Sequence, residues 1–414
     1  MCQEKEPPNE KDEERLAEST VTFTNNLNDA ALKVFGEKAE KRLNLFSSPF
    51  SLQSALGMLS LGSKGKTREQ ILRNLFPSFQ QEEDPSDPEV IPEEDAHRSI
   101  LHLTNRIFMQ SNTVKFNIAN RVYLENDFNI LSEFKDDTAM CYLAEAANVD
   151  FKQNPEKTRI EINDWVKNQT MDKIDKLLPK GSLTSNTRFV LVNAIYFFGT
   201  WKYQFDTRNT TKVGFTILGE SSNASPSTVE VDMMSQTGNF TYCEPRGIDA
   251  KVLQMNYAGD KLSMIIVLPD KSDGVHEVHE NMGEFNYSEC IKGFRGMRVT
   301  EIPIQIPKFE IKSEYKMKEV LSEMGIKDVF NEKSNLSGIS KGTSLAVDEV
   351  YHQAYIKVNE EGTEAAAATA VGGVVMSAKP KFFCTHPFMF MIVENKFGTI
   401  LFEGKVMDPT KVVG

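Results

Sequence analysis

Gly338, Ser340 and Gly342 stand in the spacing Gly-x-Ser-x-Gly, and Asp348 and His352 follow in the serine, acid, histidine order of one class of hydrolase. A nucleophilic serine on such a turn needs an apolar strand before it and a helix after it. Polar EKSNLS precedes this one and strand-like LAVDEVYHQAYIKV follows, so the context rejects a hydrolase. Gly65-Lys66-Thr67 ends like a phosphate-binding loop, but the first glycine of that motif would fall on Ser60, and the segment closes a helix instead of opening one. His276 and His279 lie three apart among Glu277 and Glu280, which is a polar helix face and not the spacing of a zinc helix. No catalytic residue, metal or cofactor is expected, and the chain does not read as an enzyme.

A different chemistry is available near the C-terminus. Between Gly362 and Val375 the side chains are almost all small, with Ala365, Ala366, Ala367 and Ala368 in a run and Gly372-Gly373 after them. Such a stretch has little to bury. Alone it fits a short alanine helix from Glu364 to Thr369 or a flexible linker equally well. Its flanks decide: YHQAYIKV at 351–358 alternates like a strand, and FMFMIV at 388–393 is an apolar run of strand length. The segment between them reads as a long exposed loop carried on a folded body, where binding residues and protease cuts concentrate.

These residues resemble the serpins, the serine protease inhibitors with a mobile reactive loop, and in particular their intracellular ovalbumin-like branch. The likeness is carried by NEEGTEAAAAT at 359–369 and by FCTHPFMFMIVENKFGTILFEGKVMDPT at 383–410. NLFSSPFSLQSALGMLSLGSKGKT at 44–67, FVLVNAIYFFGTWKYQF at 189–205 and IPKFEIKSEYKMKEVLSEMGIKDVFNEKSNLSGIS at 306–340 carry it further. It implies an α+β serpin fold, about nine helices around three β-sheets, with an exposed reactive-centre loop at about 360–380. In that family the target protease attacks the loop and forms an acyl-enzyme; the cleaved loop then inserts into the main sheet as a new strand and traps the protease.

The resemblance assigns a hinge to Glu360, Glu361, Gly362, Thr363, Glu364, Ala365, Ala366, Ala367, Ala368 and Thr369. Alternate side chains of an inserted strand face the core, so Thr363, Ala365, Ala367 and Thr369 would enter together, and all are small. The resemblance also implies a scissile bond fourteen residues after the hinge glycine and eleven before the proline of THPF; counted from Gly362 and from Pro387, both place it at Met376-Ser377. A sheet-opening cluster is assigned to Ser48, Ser51, Asn193 and His352, with Trp201 at the top of the opening. An unbranched apolar Met376 suits chymotrypsin-like, cathepsin-G-like and elastase-like pockets. The alternative is a non-inhibitory serpin acting as a binding or chaperone module.

The net charge of −12 argues against nucleic acid or an anionic membrane as the partner, and the helix expected at Asp95–Gln110 holds only Arg98 and Arg106 as fixed cations, so heparin is not expected to bind. The acidic segment 80–95 reads as a solvated insertion. Five cysteines, odd in number and without CxxC spacing, support neither a disulfide framework nor a zinc site. Six glycosylation sequons, at Asn168, Asn209, Asn223, Asn239, Asn286 and Asn335, point instead towards secretion, while MCQEKEPPNEKDEER lacks the apolar core of a signal peptide; the compartment stays open.

Residues 1–15 read as a flexible acidic tail and 16–414 as a single domain, expected to be monomeric. Helical spacing opens the chain, with Gly36 ending the first helix, Pro49 starting a second, and Thr67 and Gln70 as a capping box for a third. Strand signals dominate from Arg188 onward, as expected of an α+β chain.

Overall fold

The computed structural model describes residues 7–36, 43–80, 93–109, 113–218, 226–245, 247–284, 298–341, 345–362 and 380–412. The first helix, α1 (Glu10–Phe35), begins inside the segment expected to be tail. Asn9 caps it, its side chain accepting from the Asp12 amide, and Gly36 ends it at φ +78°, donating to Leu32 O. Glu13 is buried and pairs with Arg106 and His102, contacts that a solvated acidic tail would not make.

Pro49 opens α2 (Pro49–Gly62), which is buried on all sides and runs through the centre of the molecule. The capping box expected for α3 (Gly65–Leu75) does not form. Thr67 Oγ1 accepts from the Asn335 amide and Gln70 Oε1 from the amides of Lys327 and Asp328, so tertiary contacts claim both side chains. Among the described residues the remaining α-helices are α4 (Glu93–Phe108), α5 (Ser132–Tyr142), α6 (Pro155–Gln169), α7 (Val275–Glu284) and α8 (Lys318–Glu323).

Five strands form one sheet. They are β2 (Val114–Glu125), β3 (Glu145–Val149), β4 (Phe189–Gly199), β10 (Phe309–Lys316) and β11 (Glu349–Val358), in the order β10-β11-β4-β2-β3. The centre of this sheet is buried on both faces, which is why β4 reads as one apolar run without alternation. Leu191, Ile195, Phe197, Val350 and Ala354 face α2 and the main core. Val190, Val192, Tyr196, Tyr351 and Tyr355 lie under α6 and the segment carrying Ile174, Leu177 and Leu178.

The other strands are β1 (Leu45–Ser47), β5 (Thr211–Ile217), β6 (Ser227–Cys243), β7 (Ala250–Asn256), β8 (Leu262–Pro269), β9 (Arg298–Pro307), β12 (Phe382–Phe383), β13 (Phe388–Glu394) and β14 (Ile400–Val406). Among the described residues their hydrogen bonding is continuous. Long β6 pairs with β7 at its C-terminal end and with β9 and β5 along the rest, so they join into one nine-stranded path.

Cysteine usage differs from the sequence expectation. Cys141, on α5, is disulfide-bonded, whereas Cys243 and Cys384 are free. Sequence spacing alone gave no sign of the disulfide, since no CxxC pair is present.

The Gly-x-Ser-x-Gly segment acquires a structural reason. Gly338 donates its amide to Gly62 O at 3.0 Å, and a Cβ at position 338 would lie 2.8 Å from that same oxygen. Ser340 is buried, bridging to Ile130, and Asp348 accepts from the amides of Arg188 and Phe189. The glycine is there so that two backbones can touch. Gly338→Ala should therefore cost about 1–3 kcal/mol through overpacking, seen as a lower urea midpoint at unchanged slope.

Candidate functional site: the seam between β4 and β11

Strands β11 and β4 are direct, parallel neighbours, in register from Glu349 opposite Val190 to Ile356 opposite Phe197. No strand stands between them, so the main sheet is closed. Two groups of residues hold this seam, one at its middle and one at its end.

At the middle, Tyr315, His352, Asn193 and Asn120 stand abreast in one row across β10, β11, β4 and β2. The Ser48 amide donates to His352 Nε2 at 3.2 Å, which leaves Nδ1 as the protonated nitrogen, donating to Asn193 Oδ1. Asn193 Nδ2 donates to Ser51 Oγ at 2.6 Å and to Asn120 Oδ1. Ser48 is the N-cap of α2; its Oγ accepts from the Ser51 amide and donates to Leu401 O at 2.6 Å. Tyr315 stacks on the imidazole with 6.0 Å between ring centres. A buried polar row of this kind is stabilising only when each member has its partner, and this one is fully connected.

Sequence comparison supplied Ser48, Ser51, Asn193 and His352, and the fold brings these four together; it adds Asn120 and Tyr315, which sequence reasoning missed. The signal for Asn120 was a lone amide inside the apolar alternation of β2. Its partner could not be read, because register across three strands is a property of the sheet.

At the end of the seam the chain leaves β11 through a turn, Asn359 to Gly362. Trp201, two residues beyond β4, holds it: its Nε1 donates to Asn359 O at 3.1 Å and its amide to Glu361 O at 3.1 Å, while the Phe205 amide donates to Glu360 O at 2.8 Å. The indole is itself fixed by stacking on Tyr257, 4.6 Å between centres. Gly362 sits at φ +72°, and a Cβ there would collide with the backbones of Gly199 and Trp201, so only glycine fits. Glu360 is buried; its carboxylate accepts from Thr210 Oγ1 at 2.8 Å and pairs with Lys308 at 3.0 Å. Burial alone would raise its pKa, but the Thr210 and Lys308 contacts outweigh that and hold it below the ordinary range. Thr210 and Lys308 carried no sequence signal, being far from the hinge along the chain.

The hinge positions Thr363, Glu364, Ala365, Ala366, Ala367, Ala368 and Thr369, the bond Met376-Ser377, and the sequons at Asn223 and Asn286 lie outside the described residues. Asn168, Asn209, Asn239 and Asn335 are exposed. The two cations of α4 are paired, Arg98 with Asp95, and Arg106 with Glu13 and Glu394.

A closed parallel seam, a buried polar row across it and a glycine-dependent turn at its end are the features that set this sheet apart. Comparison with known proteins identifies the family: the family model described as Serpin (serine protease inhibitor) matches residues 25–409. The chain belongs to the serpin family. It is similar to human Serpin B3, 36% identical over 380 residues covering 90% of this chain and 95% of that protein. The leukocyte elastase inhibitor of Equus caballus is 36% identical over 375 residues, covering 88% and 93%. Among solved structures it resembles uncleaved ovalbumin, with a TM-score of 0.80 at 28% identity, covering 95% of this chain and all of that one.

Burial lowers the His352 pKa to about 3. His97, enclosed by Phe76 and Tyr142, is likewise lowered to about 3, by burial first and then by Arg68. Both stay neutral in the folded protein while the unfolded chain takes up protons near pH 6.5, so the unfolded state binds more protons below that pH and stability falls as pH falls, until about pH 3. Each histidine contributes up to about 1.4 kcal/mol per pH unit in that window. His352→Gln should be less stable near neutrality but flatter in urea-midpoint series from about pH 7.5 to 4.5. An unchanged slope would assign the titration elsewhere.

Proposed function

We propose that this chain is a suicide inhibitor of serine proteases of chymotrypsin-like, cathepsin-G-like or elastase-like specificity, which cut it at Met376-Ser377. The observation that carries the reading is the geometry at the end of β11. Because β11 and β4 run parallel and end at the same edge, a chain that turns back after Asn359–Gly362 is antiparallel to both. Insertion therefore exchanges one parallel ladder for two antiparallel ones, the better-aligned kind. At roughly 1 kcal/mol net per hydrogen bond, a dozen added bonds release on the order of ten kcal/mol, enough to drag and distort an acylated protease.

The small residues from Thr363 to Thr369 support this reading, since an inserted strand must pack on a core already filled by Leu191, Ile195 and Ala354. The relative named leukocyte elastase inhibitor supports an elastase-like target. In this reading the chain is not an enzyme: it is attacked, and turns the attack into a trap. It acts as a monomer without cofactor, and the pairing of Arg98 and Arg106 with acids leaves α4 no basic surface for heparin. Glycans at the exposed sequons would leave the seam untouched.

Mixing the protein with chymotrypsin or elastase should give a covalent complex stable to SDS and release a C-terminal fragment that mass spectrometry finds to begin at Ser377. Loop cleavage without complex would instead mark a non-inhibitory serpin, and a fragment beginning elsewhere would move the bond. Met376→Arg should shift activity towards trypsin-like enzymes, whose pocket pairs a cation.

Thr363→Arg puts a charge on the first side chain to enter the sheet, where burial without a partner is costly. The variant should be cut at the same bond yet form little complex, so that more than about ten molecules are consumed per protease inhibited. Wild-type complex yield would overturn the hinge assignment.

A further inference from the structure

Behind the polar row lies a cavity of about 490 Å³, within the size range of small-molecule sites. Among the described residues, Ala31 and Phe35 of α1 form one wall, Phe46 and Tyr315 another, and Met391 of β13 and Glu403 of β14 the back. The lining is mostly apolar. Phe35 packs on Tyr315 at 6.3 Å between ring centres and keeps 45% of its surface exposed at the mouth. Glu403 provides the fixed polar group, its carboxylate accepting from Asn28 Nδ2 at 3.0 Å and Ser47 Oγ at 3.4 Å. Burial raises its pKa, although those two bonds oppose the shift.

The fixed charges around the cavity balance, Glu314 and Glu403 against Lys316 and Lys405, with His279 as a further titratable group in the lining, so they favour neither a cationic nor an anionic ligand. We propose that this cavity binds a neutral lipophile carrying one hydroxyl or N–H donor directed at Glu403, and that its occupancy restrains opening of the main sheet.

The restraint follows from contact. Tyr315 lines the cavity and stacks on His352, His352 itself reaches the lining, and Ser47 adjoins Ser48, whose amide donates to the imidazole. A ligand filling the space behind these side chains favours the arrangement in which His352 stays seated on the Ser48 amide and reaches Asn193 across the seam, which is the closed sheet, by its differential affinity for that state. Slower insertion leaves the acyl-enzyme more time to hydrolyse. This second half rests on the inhibitor reading; the binding itself does not.

N-phenyl-1-naphthylamine, a neutral probe with one N–H donor that fluoresces on leaving water, tests both halves. The wild-type protein should show a saturable, one-to-one rise in fluorescence. Ala31→Trp, which fills the cavity, should abolish it while keeping the wild-type melting temperature to within a few degrees. Should that variant fail to fold, Glu403→Gln decides, with an expected loss of about tenfold in affinity from the weaker acceptor. Unsaturable fluorescence, undiminished fluorescence in folded Ala31→Trp, or unchanged affinity in Glu403→Gln would overturn the site. With the probe saturating, the number of inhibitor molecules consumed per protease should rise at least about twofold. Binding without that rise would overturn the coupling and leave the site standing, whereas a protein that binds the probe but inhibits no protease would break the inhibitor reading and not the site.

Discussion

The hydrogen bond from His352 to Asn193 crosses the seam between the two central parallel strands, and the molecule is arranged around keeping it dry and intact. It joins β11 to β4 by side chains at the midpoint of their shared ladder. Removing water makes the bond stronger and makes its loss dearer, because each partner would be left buried and unpaired. That is why the N-terminus of α2 is driven into this point. The Ser48 amide fixes the tautomer of the histidine, Ser51 takes one Asn193 proton and Asn120 the other, so the row has one self-consistent pattern of donors and acceptors.

The same row specifies the closed arrangement of the sheet. Main-chain bonds between β11 and β4 are interchangeable with those to an intervening strand, since any extended chain offers the same donors and acceptors. The side-chain row is not interchangeable, and it specifies the closed register. At the far end of the seam the restraint is of a different kind: backbone carbonyls of Asn359, Glu360 and Glu361 are held by Trp201 and Phe205, and Gly362 turns where no side chain fits. One lock is therefore polar and buried, and the other is steric and at the surface. The outer face is shut by α6, whose Trp165 meets Tyr123 edge-on with Arg121 over the indole, tying that helix to β2.

Individual elements show how local signals fared. Pro49 and Ser48 announced α2, and Gly36 the end of α1, because caps and breakers act within one turn of helix. Thr67 and Gln70 had the right spacing for a capping box, yet the backbone of residues 327–335 outbid the local partners. The start of α1 was hidden for a related reason. Glu13 looks solvated in sequence, and only Arg106 and His102, about ninety residues on, make its burial tolerable. The triad-like order of Ser340, Asp348 and His352 was rejected from its context, and the structure gives each residue a separate structural partner.

By itself the sequence determined the family, the α+β class, the small-residue stretch after Gly362 and four members of the central polar row, because each is carried by residue type at short spacing or by whole blocks of likeness. Tertiary structure alone decided that β11 and β4 are paired directly, that Asn120 and Tyr315 complete the row, that Lys308 and Thr210 hold Glu360, and that Cys141 is bonded. Apart from the disulfide, each of these depends on strand register or on contacts between residues roughly forty to 160 apart in sequence. The physical reason is common to all of them. A side chain's type fixes what partner it needs, but with no local partner in reach the choice is made only when packing decides which strands lie abreast.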